Sequence, residues 1–139
     1  MEKIALVTGG GSGVGRSAAL ALFMAGYDVV VTGRRETTLK ETIDLGVKSN
    51  PDGIKRLNFI ASDVSNPSSV DELFNEIKNK YGRLDVLFNN AGVNLPSTVF
   101  GDLSYDQWKN TVDINLSGVF LCAKAAFNLM RNQNPHGGR

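Results

Sequence analysis

Apolar residues in this chain fall into short unbroken runs, separated by longer stretches with helical spacing. The segments Lys3 to Val7 and Asp28 to Thr32 are continuously apolar and valine-rich, without the polar alternation of a half-exposed strand. Such runs predict parallel strands covered on both faces. An alanine-rich first helix lies between them, and Gly26 stands where a helix-ending glycine belongs. A second helix is predicted from Glu36 to Leu45 with Leu39 and Ile43 on one face, then a turn at Asn50-Pro51-Asp52-Gly53 and a third strand at Leu57 to Ala61. The third helix is the most strongly marked: Asn66 can cap it, Pro67 suits its first position, Val70, Leu73, Phe74, Ile77 and Tyr81 form its apolar stripe, and Gly82 ends it. Leu84 to Phe88 is a fourth strand, and a loop containing Pro96 follows. Ser104-Tyr105-Asp106-Gln107 then forms a capping box that opens a long helix to about Arg131, with Asn132 to Arg139 as loop. No repeat, low-complexity tract or linker interrupts this βαβαβαβα succession, so residues 1–139 are expected to form one domain.

Composition narrows the function classes. Fifteen basic and fourteen acidic residues give a formal net charge of +1 and are interspersed, leaving no single-sign stripe for nucleic acid or anionic lipid. Small molecules are the expected partners, with no nucleic acid and no membrane. The apolar run after Lys3 is shorter than a secretion signal needs, and no stretch reads as long enough to cross a bilayer. The single cysteine, Cys122, in Phe120-Leu121-Cys122-Ala123, reads as a buried small hydrophobe. A reducing, cytoplasmic setting is expected.

The chemistry is concentrated in Thr8-Gly9-Gly10-Gly11-Ser12-Gly13-Val14-Gly15, between the first strand and the first helix. A helix start offers unpaired N–H groups and the positive end of its dipole, and glycines let a phosphate approach the backbone without meeting a Cβ. The candidate phosphate-binding residues are Gly9, Gly11, Ser12, Gly13, Val14 and Gly15. Their spacing is T-G-x-x-x-G-x-G rather than G-x-G-x-x-G. Gly10 to Ser17 also comes within one residue of a P-loop, with Arg16 where the phosphate-binding lysine belongs, and Asp63 could pass for a magnesium aspartate. A P-loop-like nucleotidase is therefore the weaker alternative.

Four motifs in order resemble the short-chain dehydrogenase/reductase family: Thr8 to Gly15, Asp63-Val64 after the third strand, Asn89-Asn90-Ala91-Gly92 after the fourth, and Asn115 in the long helix. The resemblance covers nearly the whole chain. It implies a Rossmann-type doubly wound parallel sheet in a three-layer α/β/α arrangement, strand order 3-2-1-4 in the part present. It further implies that Asp63 accepts a hydrogen bond from the adenine amino group, that Val64 supplies a backbone donor, and that Asn90, Ala91 and Gly92 line the ribose side. Asn89 and Asn90 can also be read as a strand-end turn satisfying its own backbone.

Charge bears on the choice of cofactor. An NAD site places an acid about 20 residues past the glycine turn, whereas a 2′-phosphate needs a cation there. Here the second strand ends in Thr32-Gly33-Arg34-Arg35, with Gly33 in the acid's place. Arg34 and Arg35 as forked donors predict NADP(H) in preference to NAD(H). Glu36 is close enough in sequence to pair with an arginine and weaken that preference.

The resemblance also implies hydride transfer between nicotinamide and an alcohol or carbonyl substrate, by a Tyr-x-x-x-Lys pair, a strand serine and a helical asparagine. Asn115 is the one member placed in this sequence, implied to anchor a water in the proton relay; the others are expected beyond Arg139. These 139 residues are thus expected to be the cofactor-binding half of an oxidoreductase, incomplete at the C-terminus and inactive alone, and to assemble as a homo-oligomer when complete. The alternative is a truncated dinucleotide-binding module without catalysis. Tyr105 and Lys109 match Y-x-x-x-K but precede Asn115, so they read as a solvated first turn, and His136 as an exposed loop residue. Pro96, Val99 and Phe100 suggest an apolar wall for substrate, and Leu84 to Phe88 is expected to be an exposed sheet edge.

Overall fold

The computed structural model describes residues 2–139. Four parallel strands, β1 (Ile4–Thr8), β2 (Asp28–Gly33), β3 (Leu57–Ala61) and β4 (Val86–Phe88), form one sheet in the order β3-β2-β1-β4. Leu6 in β1 is opposite Val30 in β2 and Leu87 in β4. Helices α1 (Gly13–Met24) and α2 (Glu36–Ser49) cover one face, and α3 (Pro67–Tyr81) with the helical run Tyr105–Asn132 covers the other.

The unbroken apolar runs follow from this layering. Ala5, Val7, Val29 and Val31 pack with Ala19, Phe23 and Leu39 on one side, while Ile4, Leu6 and Val30 pack with Leu73, Ile77 and Ile114 on the other. Consecutive side chains point to opposite faces, so a strand buried on both must be apolar at every position. The cap assignments hold: the Asn66 side chain accepts from Ser69 N, Gly82 closes α3 at φ 71°, and Ser104 and Gln107 form a reciprocal capping box.

Several boundaries differ from the sequence reading. The second helix continues past Leu45 to Ser49, and the turn after it is a 3-10 helix, Pro51–Arg56. Arg56 secures this turn by donating to the Phe23 and Tyr27 carbonyls and stacking on the Phe23 ring at 4.9 Å. The long helix is not uniform: α4 (Tyr105–Val112) and α5 (Gly118–Asn132) are joined by a π-helical turn at Asp113–Ser117. At 28 residues, Tyr105–Asn132 is long and apolar enough by composition to cross a membrane, contrary to the sequence expectation. It buries Ile114, Cys122 and Ala126 in the core shared with α3, while Trp108, Leu116, Phe120 and Phe127 stay more than half exposed.

The fourth strand is shorter than expected and its edge is not bare. Arg139 N donates to the Asp85 carbonyl at 3.0 Å, and Leu87 N donates to the Arg139 carbonyl at 2.8 Å, which is one rung of a parallel ladder. Gln133 occupies the next position: its Oε1 accepts from Leu84 N at 2.8 Å, while Nε2 donates to the Leu84 carbonyl at 2.9 Å. Leu84 is fully buried, so Gln133→Leu would leave two main-chain groups without partners. We expect that variant to lose about 2–3 kcal/mol in urea unfolding.

Asp85 ties the start of β1 to the same edge. Its carboxylate accepts from Ile4 N at 2.9 Å and from both nitrogens of the Arg83 fork, at 3.0 and 2.5 Å. The fork, followed by the Ile4 amide, holds this carboxyl below its ordinary range in spite of partial burial. A carboxyl depressed by folding stabilises the fold fully above its unfolded-state pKa and loses that contribution as pH falls through the folded-state value. Asp85→Asn should therefore cost about 1–3 kcal/mol at neutral pH, with the gap to the unsubstituted protein narrowing as the pH falls below the ordinary carboxylate range in a pH series of thermal unfolding.

Candidate functional site

All four strands end at one edge of the sheet, and β4 lies on the opposite side of β1 from β2, so the connections diverge there and leave a crevice. Its volume is about 230 Å³. It is lined by the glycine turn (Gly9, Gly11, Ser12), the end of β2 (Gly33, Arg34, Arg35), the loop after β3 (Asp63, Val64) and the loop after β4 (Asn90, Ala91, Gly92). The predicted residues are thereby brought together from four separate stretches of sequence. Gly13 and Val14 sit exposed at the start of α1, Gly15 is buried beneath the turn, and Asn115 stands behind the loop after β4.

The glycine turn is shaped by two left-handed residues, Gly9 at φ 64° and Gly13 at φ 52°. A Cβ at Gly15 would collide with the Gly9 carbonyl and the Asn90 amide, so only glycine lets the helix start so close to the strand. Ser12 caps α1 in extended conformation without a side-chain hydrogen bond, and the first turn carries no acid. The N–H groups of Gly11 and Ser12 have no partner among the described residues. An uncapped helix start, free turn amides and a cradle that tolerates no side chain fit a phosphate or diphosphate.

Opposite the turn, the Asn90 side chain donates to the carbonyls of Thr8 at 3.1 Å and Gly9 at 3.3 Å. The Thr8 hydroxyl in return accepts the Asn90 and Ala91 amides, at 3.0 and 2.9 Å. Asn90 therefore does not satisfy its own backbone; it ties the β4 loop to the glycine turn. Asn89 likewise reaches another element, the Val119 carbonyl. Asp63 Oδ1 accepts from the amide and hydroxyl of Ser65, leaving Oδ2 without a hydrogen-bond partner among the described residues.

Arg34 and Arg35 are both exposed at the crevice rim, and their guanidinium groups make no hydrogen bond or ion pair among the described residues. Glu36 does not pair with them. It is taken by Lys40, one helical turn on, at 3.2 Å. Arg16, the residue in the P-loop lysine's position, turns away from the crevice toward α2, where it bonds the Gly11 and Thr38 carbonyls, Thr42 and Glu41. It is not placed to meet a phosphate, which removes the basis for the nucleotidase reading.

The Asn115 amide is bonded both ways to the Val93 backbone, at 2.8 Å each, within the π-helical turn. Lys109 donates to Asp113, and that bond holds its ammonium above the usual range. Tyr105 is 74% exposed, so the early Y-x-x-x-K match is a solvated helix turn. Burial pushes the Cys122 thiol up to about 11, in keeping with an unreactive core residue. His136 is exposed. Sequence reasoning did not identify Thr8, Thr38, Ser62 and Val93 as site residues; Thr8 had a signal, being the first letter of the glycine motif.

A family model for short chain dehydrogenases matches residues 3–139. A 3beta-hydroxysteroid dehydrogenase of Mediterraneibacter gnavus is 39% identical over 137 residues, which are 99% of this chain and 47% of that protein. A 3-oxoacyl-acyl-carrier-protein reductase of Synechocystis is 36% identical over 94% of this chain and 51% of its own length. The chain thus spans about half the length of the curated relatives it matches. Among solved structures, levodione reductase superposes with a TM-score of 0.90 at 28% identity, covering 97% of this chain and 51% of its own. Actinorhodin polyketide ketoreductase with NADPH gives 0.83 at 29% identity, over 92% and 47%. Matched by the family model along residues 3–139 and by the strand order of its solved relatives, this chain belongs to the short-chain dehydrogenase family, carrying that family's N-terminal dinucleotide-binding part.

Proposed function

We propose that this chain is the cofactor-binding half of an NADP(H)-dependent oxidoreductase acting on an alcohol or carbonyl substrate. The observation that carries the cofactor assignment is the pair of unengaged guanidinium groups, Arg34 and Arg35, at a β2 terminus where Gly33 offers no carboxylate. The bound dinucleotide would supply or accept the hydride. The free amides of Gly11 and Ser12 and the α1 start would hold its diphosphate, the free Oδ2 of Asp63 with the Val64 amide its adenine, and the 90–92 loop its ribose. Asn115, with its amide bonded both ways to Val93, would act as a positioning residue for the loop after β4 and, as the family resemblance implies, anchor a relay water.

The serine and the Tyr-x-x-x-Lys pair would come from outside residues 1–139, and this half alone would bind nucleotide without turning over substrate. Val99 and Phe100, 73% and 89% exposed in the segment after β4, suit an apolar substrate wall. An apolar face on the long helix, with Trp108, Leu116, Phe120 and Phe127 all more than half exposed, supports a homo-oligomer. A cytoplasmic setting accords with the single buried thiol.

Titration of NADPH and NADH by cofactor fluorescence tests the assignment. NADPH should bind more tightly, and Arg34→Ala should weaken NADPH roughly 10–100-fold, the loss of a charge-assisted phosphate contact, while leaving NADH nearly unchanged. Equal affinities for the two cofactors would overturn the NADP(H) preference.

A further inference from the structure

The three consecutive glycines of the turn, Gly9 to Gly11, have little conformational preference of their own, yet two of their peptide planes are held in one orientation by α2. The Thr42 hydroxyl, with its residue 0% exposed, donates to the Gly10 carbonyl at 2.8 Å. Arg16 Nη2 donates to the Gly11 carbonyl at 2.5 Å and to the Thr38 carbonyl at 3.2 Å. Its Nε donates to Thr42 Oγ1 at 3.1 Å, so the Thr42 proton points to carbonyls, Gly10 at 2.8 Å and Thr38 at 3.3 Å, and Glu41 pairs with the same Nη2 at 2.8 Å. The carbonyl and N–H of a trans peptide point in opposite directions. Drawing the Gly10 and Gly11 carbonyls toward α2 therefore turns the next two amides, Gly11 N–H and Ser12 N–H, the other way, into the crevice these residues line. It also moves two carbonyl dipoles away from the place an anion would take.

We infer that Arg16 and Thr42 are positioning residues for the diphosphate of the bound nucleotide: they never touch it, but they orient the two turn amides that do. This rests on the dinucleotide-site reading. It also explains an arginine that stands one residue past the last glycine of the motif and points to the other side of it. Fit at Gly11 is equally close, since a Cβ there would lie 2.5 Å from Thr38 Oγ1.

The test is calorimetric titration of the isolated protein with 5′-ADP and, separately, with adenosine, for the unsubstituted chain, Thr42→Val, Thr42→Ser and Arg16→Leu. Thr42→Val keeps the volume and removes the hydroxyl, Thr42→Ser restores it, and Arg16→Leu reaches the same turn from a partly exposed position should the buried substitution fail to fold. We expect Thr42→Val and Arg16→Leu each to weaken 5′-ADP about tenfold while adenosine stays within about twofold, with Thr42→Ser close to the unsubstituted protein. Unchanged ADP affinity in a folded variant would overturn the inference and leave the site reading standing. So would an equal loss for adenosine, which is what general loosening of the fold produces. If the unsubstituted protein binds no ADP, both readings fall together.

Discussion

The crevice exists because β1 and β4 separate beyond Thr8 and Phe88, and that separation would strand main-chain groups if one threonine and one asparagine did not span it. The Thr8 side chain, on a residue 1% exposed, accepts two amides from the β4 loop and donates to the Phe88 carbonyl at 3.4 Å, which uses its full bonding capacity. The Asn90 amide covers the carbonyls of Thr8 and Gly9 from the other direction. Each of these groups, if buried without a partner, would cost about 1–3 kcal/mol, so the opening between the strands is stable only with the lock in place. Because the same asparagine lies against Gly15, the lock also sets how close α1 comes to the strand ends. Crevice width, turn shape and helix approach are therefore one constraint rather than three.

Around that opening the charges are sorted. The chain as a whole is close to neutral, yet the rim beside β2 carries two guanidinium groups while its nearest acids are engaged elsewhere, Glu36 by Lys40 and Glu41 by Arg16. Asp63 stands across the crevice with one oxygen committed to Ser65 and one free. A ligand with an anionic end and a hydrogen-bond-donating end matches this division better than a uniformly charged one. Exposed pairs such as Lys40–Glu36 contribute little to stability, so their relevance here is that they remove competitors for the arginines.

Much of this was legible in the sequence, and the reasons differ by element. The strands declared themselves through unbroken apolar runs, because burial on both faces leaves no polar positions; α3 did so through its stripe and its two caps. The glycine turn was legible because backbone approach demands a missing Cβ at fixed spacing. Bonds from side chain to distant backbone have no such period. Gln133 reaching Leu84, Asn90 reaching Thr8 and Thr42 reaching Gly10 span 32 to 82 residues of chain and leave no local pattern. The P-loop near miss shows the same limit from the other side: Arg16 has the lysine's spacing but the opposite direction, and spacing alone does not encode direction. The π-helical turn at Asp113–Ser117 likewise follows from Asn115 bonding Val93, a tertiary contact across 22 residues.

The two halves of the crevice are not equally finished. On the β2 and β3 side, the face formed with α1 and α2 is closed over a core that includes Phe23 and Leu39, and every turn carbonyl named above has its donor. On the β4 side, Val99, Phe100 and Trp108 are largely exposed, and α5 shows Phe120 and Phe127, with the cations of Lys124 and Arg131, one turn on, over their rings. The rim beside β2 thus sits on a self-contained scaffold, whereas Val99, Phe100 and Trp108 beyond β4 leave large apolar surface exposed. The two sides meet at β1, the strand whose last residue, Thr8, holds the crevice open.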